Sequence, residues 1–182
     1  MRILRLSSES LVEYRELMLH AYADAPEAFT STVEERQSLP LEWWSTRVSA
    51  EPEAAERVYG AFVDGARSSP ELVGVAGLRF AQRPKTRHQA KLYGMYVLGE
   101  HRGKGLGRAL VQAVLEGARA VPGIRMVKLT VTESNSGARA LYEACGFRSF
   151  GVEPMAVRVD DRYLAKVHMW CPLEPSSAAL DR

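Results

Sequence analysis

The run Arg102-Gly103-Lys104-Gly105-Leu106-Gly107 packs three glycines and two cations into six residues, and Arg108 follows at once. It closes an apolar stretch from Leu92 to Leu98 and opens a helix-patterned one from Leu106 to Ala120. A strand that enters a helix through a glycine-rich turn builds an anion site. The first N–H groups of the helix lack partners, and the helix dipole is positive at that end. The glycines let backbone come close to a phosphate, with Arg102, Lys104 and Arg108 supplying charge around it. Taken alone, the same glycines also suit a loop that is merely flexible. Lys104 lies between glycines instead of after them, so the turn is not a nucleoside triphosphate loop. Nor is it a dinucleotide fingerprint. Pro122-Gly123 stands about 20 residues on, where that motif carries a ribose-binding acid.

A second constellation runs from Asn135 through Leu141-Tyr142 to Gly146-Phe147. Asn135 is placed to start a helix, and Tyr142 lies seven residues later, two turns on, so both can face one side. By itself this segment reads as an N-cap Asn and a core Tyr packed with Leu141 and Phe147. The pair of segments, in this order, resembles the GNAT superfamily of N-acetyltransferases. The matching residues are Val97 with Arg102 to Gly107 (R/Q-x-x-G-x-G/A), and Asn135 to Phe147 (N-x-x-A-x-x-L-Y-x-x-x-G-F). The likeness is close from Lys91 to Phe150 and looser in the flanking element order.

The resemblance implies direct transfer of an acetyl group from acetyl-CoA to a primary amine. It assigns the backbone of Met95, Tyr96 and Val97 to the pantetheine arm. The pyrophosphate falls to the turn made by Arg102, Gly103, Lys104, Gly105, Leu106, Gly107 and Arg108. Asn135 takes a cofactor contact, and Tyr142 becomes the acid that protonates the leaving thiolate. A phenol with a pKa of about 10 can donate to a thiolate of similar basicity. A backbone N–H near Tyr96 or Val97 would polarise the acyl carbonyl. Gly99 stands where many members carry proline, and Thr130 where some members carry a Glu base. Glu34, Glu35, Glu133, His88 and Tyr96 remain as bases acting through water, and the sequence does not choose among them. Phe29, Trp43 and Trp44 are candidates for the acceptor pocket or for core packing. The acceptor is a small-molecule or peptide amine, and a homodimer is compatible with the superfamily. The rival reading is an acyl-CoA-binding sensor or interaction module with little turnover.

Composition bounds these readings. The 182 residues carry 24 Lys+Arg against 22 Asp+Glu, a net charge of +2, and a basic patch for nucleic acid or membrane is not indicated. The basic residues cluster locally, at Arg79 to Lys91 and at Arg102 to Arg108, as a local anion site requires. No apolar run approaches the roughly 20 residues of a transmembrane helix, and Met1 to Arg5 lacks a secretory h-region. Two cysteines, Cys145 and Cys171, do not make a disulfide framework, and four scattered histidines do not make a metal site. The expectation is a cytoplasmic protein with no metal.

The elements that must position the motifs follow from periodicity. Strands are predicted at Ile3–Leu6, Val58–Val63, Leu72–Phe80, Lys91–Leu98, Ile124–Val131, Phe147–Val152 and Tyr163–Trp170. Helices are predicted after capping boxes at Ser10 and Ser31, with Pro40 interrupting the second, and at Leu106–Ala120 and Ser134–Ala144. The stripe Leu106, Ala109, Leu110, Ala113, Val114 and Gly117 is expected to meet a sheet. Asp64 to Pro70 reads as a hairpin loop and Asp160-Asp161 as a turn. The fold class is α/β (α+β): one domain over residues 1–174 with a mixed, mostly antiparallel sheet flanked by helices. Residues 175–182 are expected to form a disordered tail.

Overall fold

Seven strands form one sheet in the computed structural model, which describes residues 1–64 and 70–173. The strands are β1 (Arg2–Arg5), β2 (Glu56–Asp64), β3 (Pro70–Phe80), β4 (Gln89–Val97), β5 (Met126–Thr132), β6 (Arg148–Val159) and β7 (Arg162–Pro172). Their order is β1-β2-β3-β4-β5-β7-β6, and every pairing is antiparallel except β4 with β5. The helices are α1 (Leu11–Asp24), α2 (Val33–Gln37), α3 (Leu41–Ser45), α4 (Leu106–Arg119) and α5 (Ser136–Ala144). The mixed sheet and single domain are as expected. The predicted tail and the middle of the predicted hairpin loop lie outside the described residues.

Two cores cover the two faces of the sheet. On one face α4 sets Leu106, Leu110, Val111, Val114, Leu115 and Ala118 against β2, β3 and β4. The predicted stripe was rotated. Ala109, Ala113 and Gly117 are only half-buried, because the bulkier Val111 and Leu115 beside them remove more apolar surface from water. On the other face α1 contributes Tyr14, Leu17, Met18, Ala21 and Tyr22, and α3 contributes Trp44, which is fully buried.

Several boundaries differ from the predicted ones for local reasons. Ser10 makes no side-chain cap. The second capping box is shifted by one residue: Thr32 accepts from the Glu35 N–H at 3.2 Å, and Glu35 accepts from the Thr32 N–H at 2.9 Å. Pro40 separates α2 from α3 as its missing N–H requires. β6 runs past Val152 to Val159, with irregular pairing between Glu153 and Val157 that takes in Pro154. An edge strand tolerates this because its outer N–H groups have no ladder to break.

The feature that positions the site is the parting of β4 from β5. They pair in parallel over Gln89–Lys91 and Met126–Lys128, and no pairing between them continues beyond. On its other edge β4 gains a residue relative to β3 between Tyr93 and Tyr96, opposite Gly77 and Val75. Gly94 sits in this bulge at φ +57, a conformation that costs little only without a Cβ. The bulge bends β4 away and leaves a cleft between the ends of β4 and β5.

Candidate functional site

The cleft holds a cavity of about 550 Å³. Its lining comes from Met95, Tyr96 and Val97 on β4, the glycine turn at α4, and Asn135 with Tyr142 on α5. The two sequence segments therefore meet in space. At the turn, Gly103 has φ +74 and Gly105, which precedes α4, has φ +82. A Cβ at either glycine would point into open space, so the turn forms a bare backbone cradle beside the unpaired N–H groups of Leu106, Gly107 and Arg108. Such a cradle fits a pyrophosphate. Gly105→Val is expected to weaken acetyl-CoA binding roughly tenfold, since a β-branched residue at this φ strains the turn by about 1–3 kcal/mol. Calorimetric titration checks this, and unchanged affinity would count against the cradle.

The predicted residues divide in their placement. Gly103, Gly105, Gly107 and Arg108 line the cavity, whereas Lys104 is exposed outside it and the Leu106 side chain is buried in the core. Arg102 lines the cavity too, but its guanidinium is engaged elsewhere. Its Nε donates to the Val97 carbonyl at 2.8 Å, and its Nη2 donates to Asp24 Oδ2 at 3.0 Å. Tyr96 Oη donates to the same Asp24 oxygen at 2.8 Å. Arg102 and Asp24 thus tie the end of β4 to the end of α1. The sequence contained no signal for Asp24, because its partners stand 72 and 78 residues away.

Asp24 is held below the usual carboxylate range, first by the Tyr96 hydroxyl and then by Arg102. Its contribution to stability is therefore present above its ordinary pKa of about 3.9 and fades as pH falls through the lower folded value. Asp24→Asn should be less stable than the parent at pH 7, and the gap should shrink in acid denaturation below about pH 4. A gap independent of pH would refute the charge-based role. The Tyr96 phenol is pushed up to about 12 by desolvation and by Asp24, so it stays protonated and does not serve as a base at neutral pH.

Asn135 caps α5 by accepting from the Ala138 N–H at 3.1 Å. Tyr142 is 7% exposed, with its ring at 5.8 Å from Phe147 and its Oη at 3.4 Å from the Met95 sulfur. A thioether is a weak acceptor, so the hydroxyl has only a soft partner in the cleft. Burial pushes the phenol above its ordinary value and keeps it a proton donor. Of the other suggested bases, Glu35 is bound in the α2 cap and His88 lies beside Gln89 at the start of β4. Neither they nor Glu34 and Glu133 line the cleft. Phe29 lines it; Trp44 is core.

The sequence profile of the Acetyltransferase (GNAT) family matches residues 16–147. N-acetyltransferase 8F1 of Rattus norvegicus is 38% identical over 87 residues, covering 47% of this chain and 39% of that protein. N-alpha-acetyltransferase RimI of Mycobacterium tuberculosis is 35% identical over 96 residues, covering 52% of this chain and 57% of that protein. The chain thus spans between about two-fifths and three-fifths of these relatives' lengths. A phosphinothricin acetyltransferase from Sinorhizobium meliloti, solved with acetyl-CoA, superposes with a TM-score of 0.79 at 20% identity, over 98% of this chain and 91% of that one. Among the described residues no helix is long and apolar enough to cross a membrane. With both motifs converging on one cleft and the family profile spanning most of the sheet, the chain belongs to the GNAT family of acetyltransferases.

Proposed function

We propose that this protein is an N-acetyltransferase that uses acetyl-CoA to acetylate a primary amine directly, with Tyr142 as the general acid. The observation that carries the reading is Tyr142 Oη, buried yet free of any strong acceptor, in the same cavity as the glycine cradle of α4. Acetyl-CoA supplies an activated acyl carbon and a thiol leaving group. The chain's residues do the rest. Gly103 to Arg108 anchor the diphosphate by backbone N–H groups. The edge of β4 beyond Lys91, which β5 does not pair, is available to hydrogen-bond an extended arm. As the N–C bond forms, the C–S bond breaks with its electron pair on sulfur. Tyr142 gives that sulfur a proton, and the proton lost by nitrogen reaches solvent and restores the phenol. Among the described residues no carboxylate lines the cleft, and Asp24 beside it is taken up by Tyr96 and Arg102, so the attacking amine loses its proton to water.

Calorimetric titration with acetyl-CoA, beside dephospho-CoA and ATP, tests the cosubstrate. Thiol release across a panel of amines then tests turnover. Tight acetyl-CoA binding with ATP silent, followed by amine-dependent thiol release, is the expected result. Binding without turnover on any amine would favour an acyl-CoA sensor instead.

A further inference from the structure

A second cavity, of about 240 Å³, opens on the α1 side of the sheet. It adjoins the first. Ala28 and Phe29 line both, and β4 passes from one to the other, with Leu92 to Gly94 facing the second and Met95 to Val97 the first. Among the described residues five cations line it and no carboxylate does: Arg36 from α2, Arg47 after α3, Arg79 from β3, Lys91 from β4 and Lys166 from β7. Glu56, outside the lining, takes Arg79 at 2.8 Å and lies 3.8 Å from Arg47, while also accepting from Tyr93. Among the described residues, Arg36, Lys91 and Lys166 have no ion pair.

Their surroundings are those of charges awaiting a counter-ion. Lys166 is 7% exposed, and the hydrogen bond its ammonium makes goes to a neutral group, Thr30 Oγ1 at 2.7 Å. Arg36 donates from Nη2 to Ser31 Oγ at 2.6 Å, and its buried Nε has no partner. Both lysines are held below the ordinary range, chiefly by desolvation, and next by other cations: Arg79 and Lys128 for Lys91, and Lys91 for Lys166. Glu153, opposite Lys166 on β6, offsets part of this for Lys166, but its carboxylate pairs with His168 at 2.9 Å. Gathering unpaired like charges at a partly buried site is unfavourable unless something neutralises them. An anion on the ligand does so, and guanidinium and ammonium donors bind carboxylates and phosphonates well.

Resting on the acetyltransferase reading above, we infer that the acceptor is a small primary amine bearing an anionic group, of amino-acid size, held through that anion by Arg36, Lys91 and Lys166. The volume favours a free small molecule over a peptide, since it falls below the roughly 300–1,000 Å³ of drug-sized sites. The position fits as well. Gly94 lines the second cavity and Met95, the next residue along β4, lines the first, so an amine at the Gly94 end of the second cavity stands at the boundary of the two. The surrounding positive field also favours the neutral form of an amine, which is the attacking form, where no carboxylate base is present.

The test pairs free amino acids and aminoalkylphosphonates with their decarboxylated or dephosphonylated amines, adding polyamines and short peptides, all at saturating acetyl-CoA. At least one anionic amine should exceed its uncharged counterpart at least about tenfold in kcat/KM, and Lys166→Gln and Arg36→Gln should each raise its KM about tenfold. Lys91→Gln should raise KM in the same direction, and thermal unfolding of each variant beside the parent separates a loss of folding from a loss of binding. Calorimetric titration of that acid into the CoA-bound protein gives a second readout, with Lys166→Gln binding more weakly. Equal or better use of polyamines, peptides or decarboxylated amines would overturn the inference and leave the acetyltransferase reading intact. So would acetyl-CoA binding with no anionic amine bound or acetylated. Folded protein that fails to bind acetyl-CoA would instead overturn the reading beneath it.

Discussion

Tyr142→Phe is expected to lower turnover by about 10²–10³-fold while acetyl-CoA affinity stays nearly unchanged, the loss typical of removing a positioned general acid. The structure makes this substitution clean. The Tyr142 ring packs edge-on against Phe147, a contact that phenylalanine keeps. The hydroxyl's partner is the Met95 sulfur at 3.4 Å, so its removal strands no strong donor or acceptor. The change therefore separates proton transfer from packing. Steady-state kinetics and acetyl-CoA titration of the two proteins check it, and equal turnover would take Tyr142 out of the acid role. Burial holds the phenol above its ordinary value, so no alkaline limb should arise from Tyr142 below about pH 10. The rate should instead climb from acid toward neutral pH as the acceptor amine loses its proton.

Trp44→Ala should cost about 3–5 kcal/mol of stability, the range for removing a large aromatic from a packed core. Trp44 is 0% exposed, with its ring at 5.8 Å from Tyr14 and 5.1 Å from Trp43, both edge-on. Trp43 in turn lies beneath two cations: the Arg47 guanidinium is 3.4 Å from the ring centroid and that of Arg36 is 4.5 Å. Emptying the Trp44 site therefore undermines the wall that aligns those arginines at the second cavity. Trp44→Phe should be much milder. It keeps the aromatic face and discards an indole N–H that is buried without an acceptor. Thermal unfolding of the three proteins checks the order, and an alanine variant as stable as the parent would contradict the packing assigned to this helix.

Helix and strand positions were legible to the extent that they depend on local periodicity. The stop at Gly146 was readable because φ +94 there suits glycine, and the α2–α3 break because proline lacks an N–H. The α4 stripe was misplaced because alanine and glycine match the helical period as well as larger residues do, and only the sheet opposite selects which of them it buries. The capping box slipped by one residue for a similar reason. Ser31 and Thr32 are chemically equivalent caps followed three residues later by Glu34 and Glu35. In the structure Thr32 and Glu35 make the cap, while Ser31 Oγ accepts from Arg36 Nη2 at 2.6 Å.

The sequence by itself determined the element order, the glycine turn into α4 and the placing of Asn135 and Tyr142 on one helix, because each depends on neighbours within a few turns of chain. Only the tertiary structure decided that β4 parts from β5 after Lys91, that Arg102 is spent on Val97 and Asp24, and that Arg36, Lys91 and Lys166 share one cavity. Those three cations stand on a helix and two strands that meet only through sheet register and the packing of α1 to α3. Charge in the sequence shows that cations exist; the crossing of distant elements decides which of them pair, and among the described residues these three make no ion pair.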